Sequence, residues 1–162
     1  MKGVLLCGGH GTRLQPASFT INKHLLNILN TPMVLHPLST LRHFGITDIL
    51  IVTGGNHVGG FAEFLGDGHA YGVNLTYRVQ KESGGIGQAL GLDKNFVGSD
   101  SVMVILGDNI FENKMLPKKL PQGVGVEGAM FFFSKQTDNT RFGVPVFNKK
   151  NHLIGIEEKP VH

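Results

Sequence analysis

Near the start of the chain an apolar run, residues 4–7 (VLLC), breaks into Gly8-Gly9-His10-Gly11, followed at once by Thr12 and Arg13. Glycines admit backbone angles closed to other residues and let amide N–H groups come close to an anion. Thr12 adds a hydroxyl, and Arg13 a planar guanidinium that can grip a phosphate through two hydrogen bonds. Lys23 can add a second, point-like charge. The surrounding charge agrees, because residues 1–47 contain no Asp or Glu and yet carry Lys2, Arg13, Lys23 and Arg42. An uncompensated positive segment attracts phosphates. The competing reading of the same residues is a tight strand-to-loop turn with an incidental arginine.

Two familiar phosphate loops do not fit. The dinucleotide fingerprint G-x-G-x-x-G needs glycine where Leu14 stands and an acid about 20 residues further on. The first acid after the loop is Asp48. A Walker A loop needs G-K-[ST], whereas Gly11 is followed by Thr12-Arg13. Nucleic acid is also disfavoured, since the basic residues are dispersed and stand beside no recognition motif. A small phosphorylated ligand remains.

The elements that must position these residues follow from periodicity. Residues 4–7, 48–53 (DILIVT), 73–79 and 101–106 (SVMVIL) read as strands, the first and fourth ending at the glycine loop and at Gly107-Asp108. Residues 32–44, 57–65 and 86–96 carry apolar side chains at helical spacing, and Gly45 sits where a helix stop belongs. Alternating strands and helices predict a doubly wound, mostly parallel α/β sheet that binds ligand at the carboxyl ends of its strands. Further on the texture turns β-rich, with strands expected over 127–134, 143–147 and 152–157. Pro145 predicts an edge position or a bulge there. The chain has 162 residues, 41% hydrophobic and 17% charged, with a net charge of +3, which suits one globular domain. The lone Cys7 excludes an internal disulfide and a multi-cysteine zinc site. Neither a membrane-length apolar run nor a signal peptide is visible, so a reduced, cytoplasmic setting is expected and no membrane partner.

Four blocks, taken in order, give the chain a family resemblance: 8–16 (GGHGTRLQP) with 23–26 (KHLL), 80–89 (QKESGGIGQA), 107–111 (GDNIF), and 141–144 (RFGV) followed by 157–160 (EEKP). Together they resemble the sugar-1-phosphate nucleotidyltransferases, and GDNIF narrows the likeness towards the thymidylyl branch. The resemblance implies a Rossmann-like fold and a Mg²⁺-dependent reaction. In it dTTP (or UTP) and glucose 1-phosphate would give dTDP-glucose and pyrophosphate, for nucleotide-sugar biosynthesis.

The same resemblance assigns residues. Leu6, Gly8 and Gly11 would surround the nucleotide with backbone. Thr12, Arg13 and Lys23 would hold its phosphates, with Arg13 first among the catalytic residues. Gln80 and Gly85 would read the pyrimidine, and Asp108 would bind Mg²⁺. Asn109, Gly143 and Glu158 would contact the sugar, while Lys159 would hold the phosphate of the sugar 1-phosphate and count with Arg13 and Lys23 as catalytic. His10 stands where the family often has a small serine. The family chain continues past residue 162 with a second metal-binding Asp, further sugar contacts and helices for homo-oligomer packing. The implied organisation is therefore one nucleotidyltransferase domain over 1–162, truncated at its carboxyl end. Two readings stay open: part of an active enzyme, or a non-catalytic nucleotide-binding or regulatory module.

Overall fold

The computed structural model describes residues 1–9, 11–81, 85–91, 94–112, 116–120, 128–140 and 142–161. Strand β1 (Lys2–Cys7) leads through a loop to a short antiparallel pair, β2 (Asn27–Ile28) and β3 (Thr31–Pro32). Helix α1 (Leu35–His43), strand β4 (Asp48–Gly54), helix α2 (Val58–Leu65) and strand β5 (Asn74–Gln80) follow. Two short helices, α3 (Gly85–Gly91) and α4 (Lys94–Val97), then return the chain to strand β6 (Val102–Leu106).

The four long strands form one sheet in the order β5-β4-β1-β6, and every pairing is parallel. Strand order therefore runs outward from β1 in one direction through β4 and β5, then reverses to place β6 on its other side. That reversal is the topological switch point of a doubly wound sheet, where such folds open a crevice beyond the carboxyl ends of the strands. The β1 and β6 ends lie side by side there, with Leu6 opposite Leu106.

Alternation along the strands supplies both faces of the sheet. Leu5, Cys7, Ile49 and Ile51 meet Val34, Leu38 and Leu41 around α1, and Phe61 and Leu65 of α2. On the opposite face Val4, Leu6, Leu50 and Val52 pack with Ala89 and Leu90 of α3 and Phe96 of α4. Helix α1 ends as expected at Gly45, whose φ of 73° is open to glycine. Pro37 is tolerated because it lies in the first turn, where an amide has no helical partner to lose.

Residues Met1–Glu127 and Gly128–His162 are two compact units. The second contains β7 (Gly143–Phe147) and β8 (Leu153–Glu158), an antiparallel pair that forms a sheet of its own. Pro145 lies in this two-stranded ladder just before a register shift at Val146/Phe147, so the edge and the bulge are both present. The strand expected over 127–134 is a correction. Residue 127 lies outside the described residues, and 128–134 have no strand. A strand requires a ladder partner, and 128–134 join none of the three sheets. Of the helix expected over 86–96, residues 86–91 lie in α3 and 94–96 in α4, and 92–93 lie outside the described residues. Among the described residues no helix is long and apolar enough to cross a membrane.

Candidate active site

At the β1 end the chain turns through Gly8 and Gly9, the latter at φ 95°. Gly11, at φ 59°, opens a single 3-10 turn over Thr12–Leu14. The loop is pinned from below. Ser18 Oγ donates to the Gly11 carbonyl at 2.6 Å. A side chain at position 11 would lie 3.2 Å from the β-carbons of both Ser18 and Lys23. Thr12 and Arg13 project from this turn into solvent. Among the described residues Arg13 forms no ion pair.

Lys23 occupies a second 3-10 turn, Lys23–Leu25, capped by Asn22, whose side chain accepts from the His24 amide. Its Nζ donates to Asp108 Oδ2 at 2.5 Å. Asp108 lies two residues past the end of β6, in a turn closed by the Asn109 amide donating to the Leu106 carbonyl. Partial burial alone would raise the Asp108 carboxyl, but the hydrogen bond and charge of Lys23 outweigh it and hold the group below its ordinary value. Asp108 is thus ionised at neutral pH. Beneath the pair, burial pushes the His24 imidazole down to about 4, reinforced by the Lys23 charge, so this ring is neutral. Burial, with the Asp108 charge, pushes the Cys7 thiol up, and it stays protonated.

Gln80 ends β5. Its Nε2 donates to Gln88 Oε1 of α3 at 2.7 Å, and its Oε1 lies 3.7 Å from where a side chain on Gly8 would begin. Gly85 begins α3. The first unit therefore brings together at the sheet's carboxyl edge the glycine loop, Lys23, Asp108 and Gln80, with Lys23 and Asp108 meeting across 85 positions of sequence. Asn109 is exposed beside Asp108.

The second unit groups Gly143, Glu158 and Lys159. Gly143 pairs with Glu158 across the hairpin, and a side chain there would meet Ile156 at 2.9 Å. Lys159, at φ 49°, turns its amide to the Phe142 carbonyl, and its Nζ lies 3.5 Å from Glu158 Oε1. His10 and Arg141 lie outside the described residues.

Among the described residues no group of three or more His, Cys, Asp or Glu converges on a metal-sized space. A single ionised carboxylate does not make a zinc or calcium cage. It does suit Mg²⁺, which keeps several waters and is bound through one or two carboxylates plus substrate phosphates.

The sequence model of the nucleotidyl transferase family matches residues 2–162. The chain belongs to this family. It is 40% identical over 161 residues to the glucose-1-phosphate thymidylyltransferase of Neisseria meningitidis serogroup A / serotype 4A, and 38% identical over 161 residues to that of Mycobacterium tuberculosis. Each alignment covers 99% of this chain and 56% of the relative, so the chain spans little more than half the length of these curated relatives. A glucose-1-phosphate thymidylyltransferase structure from Bacillus anthracis, in complex with a sucrose, superposes with a TM-score of 0.87 at 42% identity, covering all of this chain and 65% of that one.

Sequence reasoning left out Ser18 and Asn22, and gave His24, Gly107 and Gln88, which stand inside its motif blocks, no role in the site. Asn22 before a short turn is a legible capping signal. The others reveal themselves only through contacts between distant segments.

Proposed function

We propose that this chain carries the nucleotide-binding half of a glucose-1-phosphate thymidylyltransferase activity: dTTP, or UTP, plus glucose 1-phosphate giving the nucleotide sugar and pyrophosphate. The observation that carries this reading is the meeting of Lys23 and Asp108 beside the glycine loop, at the switch point of a parallel sheet. A triphosphate bearing a divalent cation presents the opposite charges to the same two residues.

The roles are those the family resemblance assigns, and the charges of the residues agree with them. The amides of the loop after Leu6, through Gly8 and Gly11, face a polyanion. Thr12 and Arg13, exposed on their turn, hold the β- and γ-phosphates, and the Arg13 guanidinium stabilises charge that develops on the departing pyrophosphate. Lys23 moves its ammonium from Asp108 to a phosphate oxygen. Asp108, already ionised, would hold Mg²⁺ with the phosphates. When bound, that ion would brace the α-phosphate and act as a Lewis acid. Gln80 presents a side-chain amide to the pyrimidine edge and Gly85 a backbone approach. Glu158 and Gly143 serve sugar hydroxyls, Asn109 a further one, and Lys159 the attacking sugar phosphate. No covalent intermediate on the protein is needed for an in-line displacement, so positioning and neutralisation dominate.

The test is to incubate the chain with dTTP or UTP, glucose 1-phosphate and Mg²⁺ and to measure pyrophosphate. The expected result is release that depends on both substrates and falls at least about 100-fold in Arg13→Ala. Release undiminished by that substitution removes the role given to Arg13. Nucleotide binding with no release from the unaltered chain would instead make it a nucleotide-binding module.

A further inference from the structure

Asn22 and His24 flank Lys23 in sequence, and both side chains are buried, 2% and 1% exposed. Burying an imidazole and an amide is costly unless their polar atoms are satisfied. Here the satisfaction is specific. Asn22 Oδ1 accepts from the His24 amide at 3.0 Å and meets His24 Nδ1 at 2.6 Å. An amide oxygen only accepts, so Nδ1 must carry the proton of the neutral ring. Asn22 Nδ2 donates to the Cys7 carbonyl at the end of β1, the same carbonyl reached by Thr53 Oγ1 from β4. The His24 carbonyl accepts from the Val34 amide at 2.8 Å. The backbone on both sides of Lys23 is therefore tied down.

The ring also sets the position of the β6 end. A side chain at Gly107 would begin 2.7 Å from His24 Cδ2 and 2.8 Å from Cys7 Sγ, so Gly107 is in close contact with the ring and the thiol. Gly107 itself donates to the Leu6 carbonyl at 2.8 Å and is followed immediately by Asp108. One amide and one imidazole thus tie the Lys23 turn to the ends of β1 and β6, next to the ion pair, while Thr53 of β4 shares the β1 carbonyl.

We propose that Asn22 and His24 are positioning residues, whose buried pair sets the separation between the Lys23 ammonium and the Asp108 carboxylate. This inference rests on the reading of those two groups as the cradle for a metal-bound triphosphate. His24 touches neither ligand; it acts through its neighbours on either side.

The test compares the unaltered chain with His24→Leu, which fills the space without a donor, and His24→Asn, which keeps a donor near the Nδ1 position. Three quantities are measured: the cooperativity of melting, the ¹³C shift of the Asp108 carboxyl in the ligand-free chain, and the affinity for Mg²⁺–dTTP. The expected outcome is that His24→Leu melts cooperatively but moves the Asp108 shift and binds about ten-fold more weakly. His24→Asn returns the shift and most of the affinity. A folded His24→Leu chain with unchanged shift and affinity overturns the proposal. Should His24→Leu not fold, ¹⁵N spectra of the unaltered chain decide: a His24 proton on Nδ1 is expected, and an Nε2–H tautomer or a cationic ring at neutral pH overturns it. If the unaltered chain does not bind Mg²⁺–dTTP, the functional reading falls, while the Asp108 shift still judges the positioning role.

Discussion

Lys23 and Asp108 neutralise each other in the ligand-free chain, and under the proposed function that bears on the order in which metal and nucleotide enter. A divalent cation arriving alone must compete with the Lys23 ammonium for the carboxylate. A triphosphate arriving alone must draw Lys23 from Asp108 while facing an uncompensated anion. Each partner of the metal–nucleotide pair relieves the obstacle to the other. Lys23→Gln should therefore bind Mn²⁺ alone several-fold more tightly than the unaltered chain, measured by electron paramagnetic resonance, while binding Mn²⁺–dTTP more weakly. Unchanged binding of the free ion would contradict the pairing.

His24 makes a second residue-scale prediction. Its folded value of about 4 lies below its ordinary 6.5, so between those values the unfolded chain binds the extra proton and the native one does not. Stability contributed by the neutral ring is complete above pH 6.5 and falls as pH drops towards 4, by about 3 kcal/mol in all. The charged groups facing the ring are Lys23 and Asp108, and the Cys7 thiol stays protonated throughout. Asp108 acts in a lower window, its contribution fading as pH falls through a value below 3.8. Melting temperatures recorded from pH 7 to 4 should decline in the unaltered chain and flatten in His24→Leu.

Elements place these residues through close approach rather than through long side chains. Gly107→Ala would drive a methyl group into His24 and Cys7, both buried and hemmed in by the core. Overpacking of this kind costs about 1–3 kcal/mol, which urea denaturation would register as a lower midpoint. Gly11→Ala combines a left-handed backbone with 3.2 Å contacts to Ser18 and Lys23, and should cost about 1–2 kcal/mol. Much of this scale was readable in advance. The DILIVT run over 48–53 is β4 but for its last residue, Gly54, because a strand covered on both faces leaves a continuous apolar signature. The glycine loop and GDNIF block likewise announced two strand ends. The meeting of Lys23 with Asp108 was not readable from spacing, since it arises from β6 crossing over to lie against β1. Nor was the burial of His24, because an isolated histidine carries no periodic signal. Residues 128–134 misled for a related reason: Met130 to Phe133 are apolar enough for a strand, but strand formation depends on a partner that periodicity does not report.

Across the whole molecule, stability is unevenly distributed. Strands β1 and β4 are almost wholly buried, whereas every residue of β8 is exposed and its ladder has two strands among the described residues. An isolated two-stranded ladder is marginal in water. Amide hydrogen exchange should therefore be slowest in β1 and β4 and approach open-chain rates in β7 and β8. Protection in β8 equal to that in β4 would contradict this distribution. Phe61, fully buried between α2 and the sheet, is a fitting control: Phe61→Ala should cost about 3–5 kcal/mol and lower the protection of β1 and β4 together.

Under the proposed function Lys23 and Asp108 form one cradle for a metal-bound triphosphate. The most direct measurement is calorimetric titration of dTTP, with and without Mg²⁺, into the unaltered chain and into Lys23→Gln and Asp108→Asn. The expected result is Mg²⁺-dependent binding that weakens at least about ten-fold in each variant and loses its metal dependence in Asp108→Asn. Binding that is indifferent to Mg²⁺ and unchanged by either substitution would contradict it.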